Sequence, residues 1–193
     1  MQSVVNAMRF IGCDTKIIQS KEELMAADGA ILPGVGAFGD AMCCLRESGL
    51  VQPIKDFMST NKPFLGICIG LQMLFDESEE SPGVPGLGIF PGKVCRIPAD
   101  RGRKVPHVGW NSLNITATET VFQGMPQDAY VYFVHSYYVK AAQQSIVTAQ
   151  TQYGVTIDAA VGVGNIFATQ FHPEKSGEVG LQILRNFIKI VKG

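Results

Sequence analysis

Cys68 lies in Gly66-Ile67-Cys68-Ile69-Gly70, after the apolar run Pro63-Phe64-Leu65 and before the helix-like Leu71-Gln72-Met73-Leu74-Phe75. A cysteine at a strand-to-helix turn, with glycine close on both sides, has the layout of a nucleophile elbow with sulfur in place of oxygen. The glycines admit a sharp turn without Cβ clashes, and the first helical turn aims unsatisfied N–H groups at the sulfur. Alone, the pentapeptide fits tight packing of a buried strand on a helix equally well. A partner base decides, and the candidates are His107, His135 and His172. His172 belongs to Gln170-Phe171-His172-Pro173-Glu174, directly after a strand-like stretch at 165–169. Pro173 ends that strand and leaves the imidazole and the Glu174 carboxylate at its carboxyl end, where open α/β sheets place their ligands. A thiol, a histidine that takes its proton and a carboxylate that orients the histidine form the acyl-transfer triad in its thiol variant. Cys68, His172 and Glu174 are therefore the expected catalytic residues. No carboxylate follows His135 at short spacing, which sets it aside as the base.

Placing these groups requires strands that alternate with helices. Helices are expected at 6–11, 21–26, 38–47 and 51–60, and strands at 15–19, 29–32 and the segment leading to Cys68, the pattern of an α/β fold with a largely parallel sheet. Beyond residue 83 glycine and proline are dense and the strands shorten, which predicts antiparallel elements. Segments 145–152, 155–161 and 165–170 read as a meander turning at Gly162-Val163-Gly164-Asn165, and 177–189 as a closing amphipathic helix. Residues 1–193 are expected to form one domain. A net charge of −1 gives no basic surface for nucleic acid. Neither a run of about 20 apolar residues nor a leader pattern is present, so a cytoplasmic protein without membrane attachment is expected. The five cysteines, Cys13, Cys43, Cys44, Cys68 and Cys95, show no metal-ligand spacing, and neither disulfides, metal nor any other cofactor is expected.

Gly66-Ile67-Cys68-Ile69-Gly70-Leu71-Gln72 together with Phe171-His172-Pro173-Glu174 resembles the class I (triad) glutamine amidotransferases. Four further segments, Leu32-Pro33-Gly34-Val35-Gly36-Ala37-Phe38, Pro106-His107-Val108-Gly109-Trp110-Asn111, Tyr132-Phe133-Val134-His135-Ser136-Tyr137 and Glu174-Lys175-Ser176-Gly177, occur in order. They are similar to the glutaminase subunits of imidazole glycerol phosphate synthase, and the resemblance covers essentially the whole chain. Pro-His-Val-Gly-Trp-Asn separates this group from the amidotransferases of anthranilate, guanylate and pyridoxal phosphate synthesis. The resemblance implies a flavodoxin-like three-layer fold, with a mostly parallel central sheet and an antiparallel C-terminal portion. It also implies a buried strand and a short Gly-Asn loop before the first helix. Here Ser3-Val4-Val5-Asn6-Ala7-Met8 already reads as that helix, so the family's first strand is expected to be absent.

By the same resemblance, Cys68 attacks the side-chain carbonyl of glutamine, a γ-glutamyl thioester forms, and ammonia passes to another subunit. Gly34, Val35 and the Ile69 N–H are the implied oxyanion hole, and Gly36, Gln72, Glu80, Ser136 and Tyr137 the implied glutamine contacts. The implied partner is a cyclase subunit, a (β/α)8 barrel forming a heterodimer with ammonia channelling, which meets Trp110, Asn111 and Tyr138. Two other classes share parts of this pattern: a cysteine hydrolase such as a peptidase or γ-glutamyl hydrolase, and a non-catalytic scaffold. The intact triad speaks against the scaffold, and the Trp110 segment against the free-standing hydrolase.

Overall fold

The computed structural model describes residues 1–99, 104–118 and 120–193. Its elements run α1 (Gln2–Phe10), α2 (Lys21–Ala26), β1 (Ala30–Gly34), α3 (Phe38–Glu47), α4 (Val51–Ser59), β2 (Phe64–Cys68), α5 (Ile69–Gln72), β3 (Glu77–Ser78) and β4 (Gly92–Arg96). They continue with β5 (His107–Ser112), β6 (Asn114–Ile115), β7 (Tyr130–His135), β8 (Tyr137–Ala141), β9 (Val147–Gln152), β10 (Thr156–Val163), β11 (Ile166–Thr169) and α6 (Gly177–Lys192).

The main sheet is ordered β1-β2-β11-β10-β9-β6. It is mixed: β1, β2 and β11 run parallel, and the β11–β10, β10–β9 and β9–β6 pairings are antiparallel. The parallel part holds the chemistry. Strand β2 lies between β1 and β11, and all five of its residues are buried. That explains its unbroken run Phe-Leu-Gly-Ile-Cys, since a strand covered on both faces shows no alternation. Complete burial of side chains such as Phe64, Leu65 and Ile67 contributes about 1.5–3 kcal/mol each relative to exposure. The meander β9–β10–β11 is antiparallel throughout, as the sequence predicts, and Gly164-Asn165 closes its last hairpin with Gly164 at φ 56°.

Helix α6 owes its length to an apolar stripe, burying Gly180, Ile183, Leu184 and Phe187. Ser20 starts α2 by accepting a hydrogen bond from the Glu23 N–H at 3.3 Å. Two smaller assemblies complete the molecule, a sheet ordered β3-β4-β8 and an antiparallel ribbon of β5 and β7.

Two expectations require correction. Residues 15–19 form no strand. Among the described residues β1, at the sheet's edge, pairs with β2 alone; extended sequence without a neighbour to share its backbone hydrogen bonds does not become sheet. The helix after Cys68 is a single turn, Ile69–Gln72, and Met73–Phe75 has already left it.

Candidate active site

Cys68 ends β2 and adopts φ 56° and ψ −108°. A side chain at positive φ is costly, on the order of 1–3 kcal/mol, and persists only where the surroundings enforce it. They do so here through close approach. A Cβ on Gly70 would lie 1.8 Å from the Leu32 carbonyl oxygen, and one on Gly66 would lie 2.9 Å from the Gly70 carbonyl oxygen. Neighbouring β1 therefore sits directly on the elbow. Gly34 pairs in register with Cys68, and a Cβ there would lie 2.6 Å from Ile69 Cβ. The Pro33-Gly34-Val35-Gly36 segment thus leaves its strand beside the nucleophile, and Gly36 turns it at φ 88°. Val35 at the tip of this loop is 72% exposed.

His172 follows β11, the strand on the other side of β2, and is buried. A single 3-10 turn, Pro173–Lys175, carries Glu174 back towards it, so that His172 Nδ1 and Glu174 Oε1 are 2.9 Å apart with both side chains 5% exposed. Burial by itself lowers the histidine's proton affinity. The Cys68 sulfur and the Glu174 carboxylate outweigh it and raise the pKa to about 9. Nε2, the nitrogen left to face the sulfur, is buried with no hydrogen-bond partner, as is Glu174 Oε2.

Ser176 fixes this turn. Its Oγ donates to the His172 carbonyl at 2.7 Å and accepts from the Tyr132 N–H at 2.9 Å, while the His172 N–H donates to the Tyr132 carbonyl at 3.0 Å. Helix α1 packs against the same turn.

The remaining expected residues divide. Gln72 is buried and donates from Nε2 to the Tyr137 carbonyl at 3.0 Å and to Gln170 Oε1 at 3.1 Å, leaving Oε1 a buried acceptor without a partner. Gln170 then points its own Nε2 at Cys68 Sγ, 3.8 Å away. Ser136 joins β7 to β8, which Tyr137 opens, and the Ser136 carbonyl accepts from the Ile97 N–H at 2.9 Å. Glu80 has a structural partner: its Oε2 accepts from the Phe38 N–H at 2.7 Å and so caps α3 just after the glycine loop. Trp110 is 55% exposed and meets Tyr132 edge-on at 6.0 Å. Tyr138 lies elsewhere, on β8 opposite Cys95 of β4, and is not part of the Trp110 ribbon.

Gln170, Ser176 and the contact between His107 and His135 escaped the sequence reading. Gln170 was visible beside His172, but its contacts with Gln72 and Cys68 span 98 and 102 residues, beyond what local spacing reveals. Among the described residues no cluster of side chains has the makings of a metal site, and no helix is long and apolar enough to cross a membrane.

The family model "Glutamine amidotransferase class-I" matches residues 1–191. The chain is 51% identical to imidazole glycerol phosphate synthase subunit HisH of Methanothermobacter thermautotrophicus, over 100% of this chain and 94% of the relative. It is 49% identical to the protein of the same name from Desulfitobacterium hafniense, over 99% and 90%. Among solved structures, a glutamine amidotransferase superposes with a TM-score of 0.76 at 21% identity, covering 100% of this chain and 94% of that one. PurLQS from Thermotoga maritima gives 0.76 at 20% identity, with 97% and 91% covered. At such identities these structures speak for the fold, the flavodoxin-like α/β type expected from the sequence. The full-length match and the strained cysteine elbow agree, and the chain belongs to the class I glutamine amidotransferase family.

Proposed function

We propose that this chain hydrolyses L-glutamine to glutamate and ammonia, and that it works in the cytoplasm as the glutaminase subunit of imidazole glycerol phosphate synthase in L-histidine biosynthesis. One observation carries the chemistry: Cys68 is forced to φ 56° at the end of β2, and His172, held at Nδ1 by Glu174 at 2.9 Å, has its other nitrogen buried and unpartnered. Cys68 gives its thiol proton to His172 Nε2, and the sulfur attacks the side-chain amide carbon. The negative charge that develops on oxygen is met by the Ile69 N–H and by a donor from the Gly34–Val35–Gly36 loop, each such donor being worth about 10²–10³ in rate. His172 Nε2 gives its proton to the amide nitrogen as the C–N bond breaks and ammonia leaves. Water then gives a proton to the same nitrogen and attacks the thioester, and the C–S bond breaks as Nε2 returns that proton to the sulfur, releasing glutamate and restoring the thiol.

Gln72, Ser136 and Tyr137 line the substrate's α-amino and α-carboxylate end, with Gln72 Oε1 the unpaired acceptor. Glu80 holds the start of α3 through Oε2, and its carboxylate is the group assigned to the substrate ammonium.

A second observation supports delivery to another subunit. Cross-strand pairing puts Val108 opposite Val134 and Trp110 opposite Tyr132. Val108, Trp110, Tyr130 and Val134 of this ribbon are all exposed, a contiguous apolar and aromatic surface of the kind that anchors interfaces. A cyclase subunit, a (β/α)8 barrel that consumes ammonia, is the partner assigned to it. The deciding measurement is glutaminase turnover with and without the cyclase and its nucleotide substrate. Stimulation is expected; activity without stimulation would indicate a free-standing hydrolase, and no activity in either case a scaffold.

A further inference from the structure

The ribbon that presents Trp110 outward has an inner face, and there His107 lies opposite His135 with Nδ1 of the first 3.0 Å from Nε2 of the second. Both are buried, and His107 is sandwiched between Phe133 at 4.8 Å and Tyr153 at 3.8 Å. The two ends of this pair fix where its protons sit. A carbonyl can only accept, so His135 Nδ1, 2.8 Å from the Tyr137 carbonyl, carries hydrogen. At the other end the Asn111 amide is oriented twice: Oδ1 accepts from the Ser112 N–H at 2.9 Å, and Nδ2 donates to the Gln152 carbonyl at 3.0 Å. Asn111 therefore turns an N–H towards His107 Nε2, 3.5 Å away, and that nitrogen is bare.

One proton remains for the gap between the rings. It sits on His107 Nδ1 and points at the bare Nε2 of His135. Both rings are then neutral and Nδ1-protonated, the tautomer that free imidazole disfavours. A further proton on either ring would set donor against donor, and burial lowers both pKa values to about 4.

The chain does not stop at Tyr137. Its carbonyl also accepts from Gln72 Nε2, the same nitrogen donates to Gln170 Oε1, and Gln170 Nε2 faces Cys68 Sγ. From Asn111 to the Tyr137 carbonyl every donor points the same way; Gln72 Nε2 donates back to that carbonyl and onward to Gln170, so the two runs meet at one shared acceptor. The aligned bonds of the first run polarise one another, and because both runs draw on the Tyr137 carbonyl, weakening the bond from His135 strengthens the one from Gln72.

We propose that His107 and His135 are positioning residues whose hydrogen-bond chain, joined at the Tyr137 carbonyl to that of Gln72 and Gln170, ties the outer, partner-binding face of the ribbon to the nucleophile, so that docking is felt at Cys68. This rests on the glutaminase and partner reading above. The outer and inner residues alternate along the same two strands, so a partner that shifts Trp110 also shifts His107 and Asn111.

Two experiments test it. Long-range ¹H–¹⁵N spectra of imidazole-labelled protein at pH 7 are expected to show His107 and His135 neutral and protonated on Nδ1; hydrogen on Nε2 of either ring overturns the chain. Second, His107→Phe keeps the stack between Phe133 and Tyr153 but removes the donor, whereas His107→Asn places an amide N–H near the lost Nδ1. Loss of one such hydrogen bond predicts about a tenfold fall in cyclase-stimulated glutaminase kcat in His107→Phe, with partner affinity kept within about threefold, and recovery in His107→Asn. Equal stimulation of His107→Phe and the unaltered chain overturns the relay alone. No stimulation of the unaltered chain overturns the partner reading and the relay's purpose with it. Should His107→Phe fail to fold, Asn111→Ala removes the first donor from a half-exposed position, and the same loss of stimulation is required of it.

Discussion

Cys68→Ala leaves the elbow's backbone in place and removes the attacking atom, so glutaminase turnover is expected to fall about 10⁴-fold or more. Synthesis by the assembled complex supplied with free ammonium salts should persist, and loss of both activities would point instead to a collapsed fold. Glu174→Gln keeps a group of the same shape against His172 Nδ1 but removes its charge. Turnover should fall by roughly 10²–10⁴-fold. Because the carboxylate helps hold the His172 pKa at about 9, the alkaline limb of the rate profile should also move to lower pH in this variant. An unmoved limb would assign the raised pKa to the sulfur alone. The pairing of His172 with Glu174 beside the cysteine elbow was legible in the sequence because only one cysteine has glycines on both sides and only one of the three histidines is followed closely by a carboxylate. The roles of Gln170 and Ser176 were not, since both depend on where β7 and β8 return, a matter of register rather than local spacing.

At the scale of elements, the glycines around the elbow separate two kinds of constraint. Gly70→Ala would drive a Cβ into the Leu32 carbonyl of β1, and neither strand can yield cheaply; a loss of roughly 3–5 kcal/mol is expected in urea unfolding. Gly36→Ala meets nothing within 4 Å and suffers only from its φ of 88°, for a cost of about 1–2 kcal/mol. The ranking is the test, and a milder Gly70 substitution would mean that β1 moves freely. Helices α2 and α3 were legible to the residue, although only α2 carries its cap locally in Ser20, whereas α3 takes its cap from Glu80, 42 residues away. The supposed strand at 15–19 was not decidable from its own residues, because a strand is a property of a pair.

For the whole molecule, the histidines give stability two slopes. His107 and His135 have folded pKa values lowered to about 4, so the unfolded chain takes up protons that the folded one refuses between about 6.5 and 4. Their contribution is complete above the unfolded value and is lost as pH falls, on the order of 3 kcal/mol per ring at most. His172, raised to about 9, contributes in the opposite sense: its share is complete below about 6.5 and is lost as pH rises through 9. Urea midpoints measured across pH should therefore peak near 6.5, and a flat acid side would contradict the neutral buried pair. Trp110→Ala, at the centre of the exposed ribbon, should weaken cyclase binding about thirtyfold while leaving unstimulated turnover unchanged. Strand β1 adds a consequence of another kind. Among the described residues it is held through one edge only, none of its five residues is fully buried, and the glycine loop of the catalytic centre hangs from its end. Heating should fray this strand first, so that turnover disappears at a temperature where circular dichroism and the buried sheet still register a folded protein, and cooling restores it.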